Sequence, residues 1–128
     1  MVIIPEEVKV AIEKTMPYCI ATSDSNGVAN IVYVTFLKYF DESTVVIADN
    51  KFAKTFDNLK ENGNISFVVM DSDTKKAFQL KGKVEYYTEG EKYQFVSDWV
   101  HSKRPDINTK GAVYLKIEEI YFGSEKIA

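Results

Sequence analysis

The chain has 128 residues, a formal net charge of −3, 45% hydrophobic and 27% charged residues, so it predicts one ordinary globular domain over residues 1–128. The acidic balance without a basic tail argues against nucleic acid as a partner, and no apolar run approaches the roughly 20 residues a membrane span needs. One cysteine, Cys19, excludes an intrachain disulfide and predicts a reducing, cytoplasmic setting, and with one histidine, His101, a zinc site built mainly from Cys and His is excluded too.

Pro5 to Met16 reads as a short amphipathic helix, with Pro5 at its first position, Glu6 and Glu7 at the positive dipole end, and Val8, Ala11 and Ile12 at core spacing. Tyr18 to Ser23 is strand-like, and Asn26-Gly27 is the strongest hairpin signal in the chain. Ala29 to Phe40 follows as one long strand. After a turn at Asp41 to Ser43, Thr44 to Ala48 is a continuously apolar strand that reads as buried on both faces.

Asp49-Asn50 opens a predicted helix over Lys51 to Glu61, with Phe52, Phe56 and Leu59 as its buried stripe and Asn62-Gly63 as its end. Strands are expected over Asn64 to Met70 and Ala77 to Thr88. A third helix is expected over Glu91 to Ser102, anchored by Phe95 and Trp99, with Tyr93 and Val96 as further anchors. The closing strand is Ala112 to Phe122. About six strands and three helices in this order point to a mainly β protein, an antiparallel sheet closed as a β-barrel with flanking helices at its ends.

The chemistry concentrates where Val45 to Ala48 runs into Asp49 and the next helix. A strand-to-helix junction offers free backbone N–H groups and the positive end of a helix dipole, which suits phosphate. Lys54 and Thr55 lie in the first turn of that helix, and Lys51 adds a second cation. The same lysines also fit a plain solvated helix face.

The order of these pieces resembles the pyridoxamine-phosphate-oxidase-like family of FMN-binding split β-barrels, and especially its small bacterial FMN-binding proteins. Ile20 to Thr22 resembles the family's first strand, Val32-Tyr-Val-Thr35 the strand bordering the flavin ring, Lys54-Thr55 with Asn58 the phosphate-binding helix start, and Phe78-Gln-Leu-Lys-Gly82 a later strand. The likeness covers about half the chain. One departure stands out: many relatives carry an arginine beside the phosphate-binding lysine, and here Ala53 stands before Lys54.

The resemblance implies an antiparallel split β-barrel that holds FMN at the interface of a homodimer. It implies phosphate contacts from Lys54 and Thr55, with Lys51 as the second cation, and ring contacts from Val32, Tyr33, Val34 and Thr35. The backbone of Ala48, Asp49 and Asn50 and the side chains of Gln79 and Lys81 are further candidates for the ring's polar edge, and Lys81 fits an exposed strand lysine equally well. A flavin needs an apolar slot with a few polar partners for that edge.

No catalytic side chain emerges: a Ser-His-Asp set would have to use His101, and Glu118-Glu119 point to opposite faces of a strand. Any catalysis is therefore the cofactor's. The implied function is an oxidoreductase passing electrons or hydride between FMN and a small molecule or redox partner. The alternatives are a non-enzymatic flavin-binding or electron-transfer protein, or a split barrel that uses a deazaflavin or haem.

Overall fold

A computed structural model describes residues 1–128 and contains three helices and eight strands. In chain order these are α1 (Glu6–Lys14), β1 (Tyr18–Ser23), β2 (Ala29–Val34), β3 (Leu37–Asp41), β4 (Thr44–Asp49), α2 (Lys54–Glu61), β5 (Asn64–Met70), β6 (Ala77–Tyr87), α3 (Gly90–Lys103), β7 (Gly111–Phe122) and β8 (Glu125–Lys126). The strands form one curled sheet in the order β2-β1-β5-β6-β7-β4-β3, with β8 paired to β7 and every pairing antiparallel. The expected antiparallel split barrel with flanking helices is the fold observed.

The strand expected over Ala29 to Phe40 divides at Thr35-Phe36. β2 pairs with β1, whereas β3 pairs with β4, so the chain changes partners there. That break, with the short β8, raises the strand count from six to eight. It also leaves β2 and β3 as the two edges of the sheet, and the barrel is split between them.

The sheet buries apolar side chains on both faces where β4 and β7 meet. Val45, Ile47, Val113, Leu115 and Ile117 enter the main core, which α1 closes with Val8, Ala11 and Ile12. Their neighbours Val46, Ala48, Ala112 and Tyr114 face outward into a second cluster, covered by Val96 and Val100 of α3. Two-sided burial explains why β4 is apolar without alternation. In α3 the anchors are Val96 and Val100, fully buried, while Phe95 stays exposed.

At Gly82 the register of β6 against β7 shifts, and a Cβ there would lie 2.2 Å from the Lys116 carbonyl oxygen. Only glycine permits that approach of the two backbones.

Candidate functional site

Helix α2 begins at Lys54, three residues later than expected. The cause is Asp49. One of its carboxylate oxygens accepts the Phe52 N–H at 2.8 Å, which folds Asn50 to Ala53 into a turn. The other accepts the Tyr86 hydroxyl at 2.5 Å. Burial, then this bond, holds the Tyr86 hydroxyl well above the usual tyrosine range. The two residues before β7 clamp the same segment: Lys110 N–H donates to the Asp49 carbonyl, Thr109 Oγ1 donates to Asn50 Oδ1, and Lys110 Nζ donates to the Phe52 carbonyl.

No side chain caps α2, so the N–H groups of Lys54, Thr55 and Phe56 are free. Lys51 and Lys54 are exposed and join no ion pair. The helix also departs from its expected packing. Phe52, Phe56 and Leu59 are only half-buried, while Thr55 and Asn58 are fully buried at 1% and 0% exposure. Thr22 and Asn30 are cross-strand partners on β1 and β2. Asn58 Nδ2 donates to Thr22 Oγ1 at 3.0 Å, and Asn30 Nδ2 donates to Thr55 Oγ1 at 3.1 Å. Asn58 Oδ1 is buried without a partner.

A cleft of about 1180 Å³ opens between this helix start, the β2–β3 edge and the end of α3. Nine of the twelve residues expected at a cofactor line it: Val32, Tyr33, Val34, Thr35, Ala48, Asn50, Lys51, Lys54 and Thr55. The other three lie elsewhere within this chain. Asp49 is buried behind the turn that it shapes. Gln79 and Lys81 sit on β6, opposite Val68 and Ser66 of β5. The Lys81 ammonium lies 5.1 Å from the centre of the Tyr121 ring.

Sequence reasoning missed Asn30, Phe36 and the far wall from Lys103 to Asn108. The signal for Asn30 was its alternation with Val32 and Val34, which places a polar side chain on the inner face of a strand. Trp99 packs edge-to-face on Phe36 at 5.4 Å between centres and also lines the cleft. The Lys38 ammonium lies 4.4 Å from the Trp99 ring centre. Burial, then the neighbouring Lys103, pushes the Lys38 ammonium below the usual lysine range.

A second feature adjoins the cleft. On the outer face of β2, β1 and β5, Ile31 and Tyr33 are 64% and 75% exposed, and Val68 and Met70 are about half exposed. Cys19 lies between Tyr33 and Val68 in register. Tyr33 belongs both to this face and to the cleft wall.

The family model described as pyridoxamine 5'-phosphate oxidase matches residues 4–123. The chain belongs to this family. A curated relative, "Uncharacterized protein MJ0282" of Methanocaldococcus jannaschii, is 35% identical over 118 residues, covering 91% of this chain and 78% of that protein. Among solved structures, HupZ of Group A Streptococcus superposes with a TM-score of 0.83 at 23% identity, covering 96% of each chain. An FMN-binding protein from Syntrophomonas wolfei superposes with a TM-score of 0.79 at 22% identity, covering 96% of this chain and 85% of that one. These superpositions establish the shared split-barrel fold. No helix of the protein is long and apolar enough to cross a membrane.

Proposed function

We propose that the protein is an FMN-binding flavoprotein that works as a homodimer. It passes electrons or hydride between the flavin and a small molecule or redox partner. The observation that carries this reading is the uncapped start of α2. Free N–H groups, the buried Thr55 hydroxyl, and the unpaired Lys54 and Lys51 converge on one end of a cleft with largely apolar walls. That donor set suits a phosphate monoester dianion. A flavin also fits the volume, since ligand pockets commonly span about 300–1,000 Å³.

In this reading Lys54, Thr55 and the backbone of Lys54 to Phe56 hold the phosphate. The backbone of Val32 to Thr35, with Ala48 and Asn50, borders the ring system. Bound FMN supplies the redox chemistry, and the chain binds it, orients it and shields it from water. No side chain of the cleft is assigned a proton-transfer step.

The exposed apolar face on β2, β1 and β5 is the proposed subunit interface. It runs into the cleft at Tyr33, so a second copy seated there would cover the open side of the site. Gln79 and Lys81 lie on the same face, in register with Val68 and Ser66, and would then reach the partner's cleft rather than their own. The free Cys19 fits a cytoplasmic protein.

The test is the visible absorption spectrum of the purified protein with added FMN, followed by gel filtration. A flavin spectrum travelling with a dimer-sized peak is the expected result. A colourless protein that passes FMN through unbound overturns the cofactor assignment. Reduction of the bound flavin by nicotinamide cofactors, followed anaerobically by stopped flow, separates an oxidoreductase from a flavin carrier.

A further inference from the structure

Thr15 and Thr55 both have buried or half-buried hydroxyls on or beside a helix, but they use their protons differently. Thr15 Oγ1 donates to the Ala11 carbonyl at 2.8 Å, the usual local outlet for a helical threonine. Thr55 makes no such bond. Its oxygen accepts from Asn30 Nδ2 at 3.1 Å, and its own hydrogen has no acceptor within the protein. A hydroxyl carries one proton and two lone pairs. An oxygen already accepting from an amide is set to donate with that proton, and a buried donor left unpaired is costly. Thr55 is 1% exposed and lines the cleft, so the outlet for its proton is whatever the cleft holds.

We propose that Asn30 is a positioning residue that turns the Thr55 hydroxyl into a dedicated donor toward a phosphate dianion. The proposal rests on reading the α2 end of the cleft as the phosphate site. Asn30 is well placed for the task. It stands on β2 opposite Thr22, whose own hydroxyl accepts from Asn58 Nδ2. Two amide-to-hydroxyl bonds thus cross between α2 and the β1–β2 hairpin, in opposite senses. The Asn58 bond locks the helix to the hairpin, and the Asn30 bond orients the threonine next to the free N–H groups. An aspartate at position 30 would reverse the arrangement: it would accept the Thr55 proton and place a negative charge beside the phosphate.

The test compares the dissociation constants of FMN and riboflavin, which differ only by the phosphate, for the wild type, Asn30→Ala, Asn30→Asp, Thr55→Val and the Asn30→Ala/Thr55→Val double variant. The wild type should prefer FMN. Asn30→Asp should weaken FMN binding about ten- to a hundred-fold while riboflavin stays within about two-fold. Asn30→Ala should weaken FMN about three- to ten-fold, and should add nothing once Thr55 is valine.

If the losses of Asn30→Ala and Thr55→Val simply add, Asn30 does not act through Thr55 and the proposal fails. An equal loss for both flavins in Asn30→Ala also overturns it, because the effect is then one of general packing. Should Asn30→Asp not fold, Asn30→Ala carries the test alone. A wild type that binds FMN and riboflavin equally sinks the phosphate reading itself and this proposal with it. A wild type that prefers FMN beside an unaffected Asn30→Ala sinks only the role of Asn30.

Discussion

Helix α3 rests on the sheet through Val96 and Val100, which are fully buried against Val46, Ala48, Ala112 and Tyr114. Helix α2 is held the other way. Its two fully buried residues are Thr55 and Asn58, bonded to Asn30 and Thr22, while its one aromatic residue, Phe56, is only half-buried. Apolar packing is the cheaper way to dock a helix, because each buried polar group needs a partner in fixed geometry. One polar atom at α2, Asn58 Oδ1, lacks even that. Groups that do not serve stability best gather where the proposed site lies, which fits the tendency of functional sites to break local folding rules.

The comparison is sharpened first by making α3 resemble α2. Val100→Asn places an amide with no partner in the apolar cluster and should destabilise the fold by about 3–5 kcal/mol, the sum of lost apolar burial and an unpaired polar group. Urea unfolding measures it, and the folded fraction should bind FMN as the wild type does. A change under about 1 kcal/mol would mean that α3 is not anchored as described.

The clamp behind α2 comes next. Tyr86→Phe removes the hydroxyl that donates to the buried Asp49 carboxylate and should cost about 1–2 kcal/mol at neutral pH. It should also alter the alkaline limb. The Tyr86 hydroxyl is held above its ordinary range in the folded protein, so the fold keeps that proton after the unfolded chain has begun to lose it. Stability from this group is therefore complete below about pH 10 and declines as pH rises beyond it. The variant should show a shallower decline in urea midpoints above pH 10. Some slope should remain, because Tyr18, Tyr114 and Tyr121 are raised as well. Identical alkaline slopes would remove Tyr86 from the account.

The elements built by plain alternation were legible in the sequence. β1 and β5 fall where Tyr18 to Ser23 and Asn64 to Met70 predict them, and β4 is buried on both faces as its unbroken apolar run implies. What was not legible depends on long-range partners. The break at Thr35-Phe36 follows from β3 choosing β4 over β1, which no local pattern encodes. The Asp49 carboxylate that ties down the segment before α2 is itself held by Tyr86, 37 residues away. Helical spacing found Phe52 and Leu59, which pack half-buried against the main core, but not the fully buried Thr55 and Asn58, since periodicity marks apolar side chains. In the cleft, the wall from α2 and β2 was readable, but the wall from Lys103 to Asn108 was not, because a polar loop carries no periodicity that points to a pocket.

The substitutions with the smallest effects on stability decide whether α2 carries a site or only a solvated charged face. Lys54 and Lys60 lie on the same helix, six residues apart. Lys54 stands at the free N-terminus, beside the cleft and outside any ion pair. Lys60 stands in the last turn, 3.9 Å from the exposed Asp57 carboxylate and 4.9 Å from the Phe56 ring centre. Exposed pairs of that kind contribute about 0.5 kcal/mol or less. Lys54→Ala should therefore weaken FMN binding by about 1.5–3 kcal/mol with little change in stability. Lys60→Gln should leave FMN affinity unchanged and shift stability by no more than about 0.5 kcal/mol. The contrast matters more than either value, because both substitutions remove one charge from one short helix. Equal losses of affinity, measured by flavin fluorescence titration at low and moderate salt, would mean that FMN senses only the helix's net charge. A loss confined to Lys54 and resistant to salt marks a direct bond at the uncapped end.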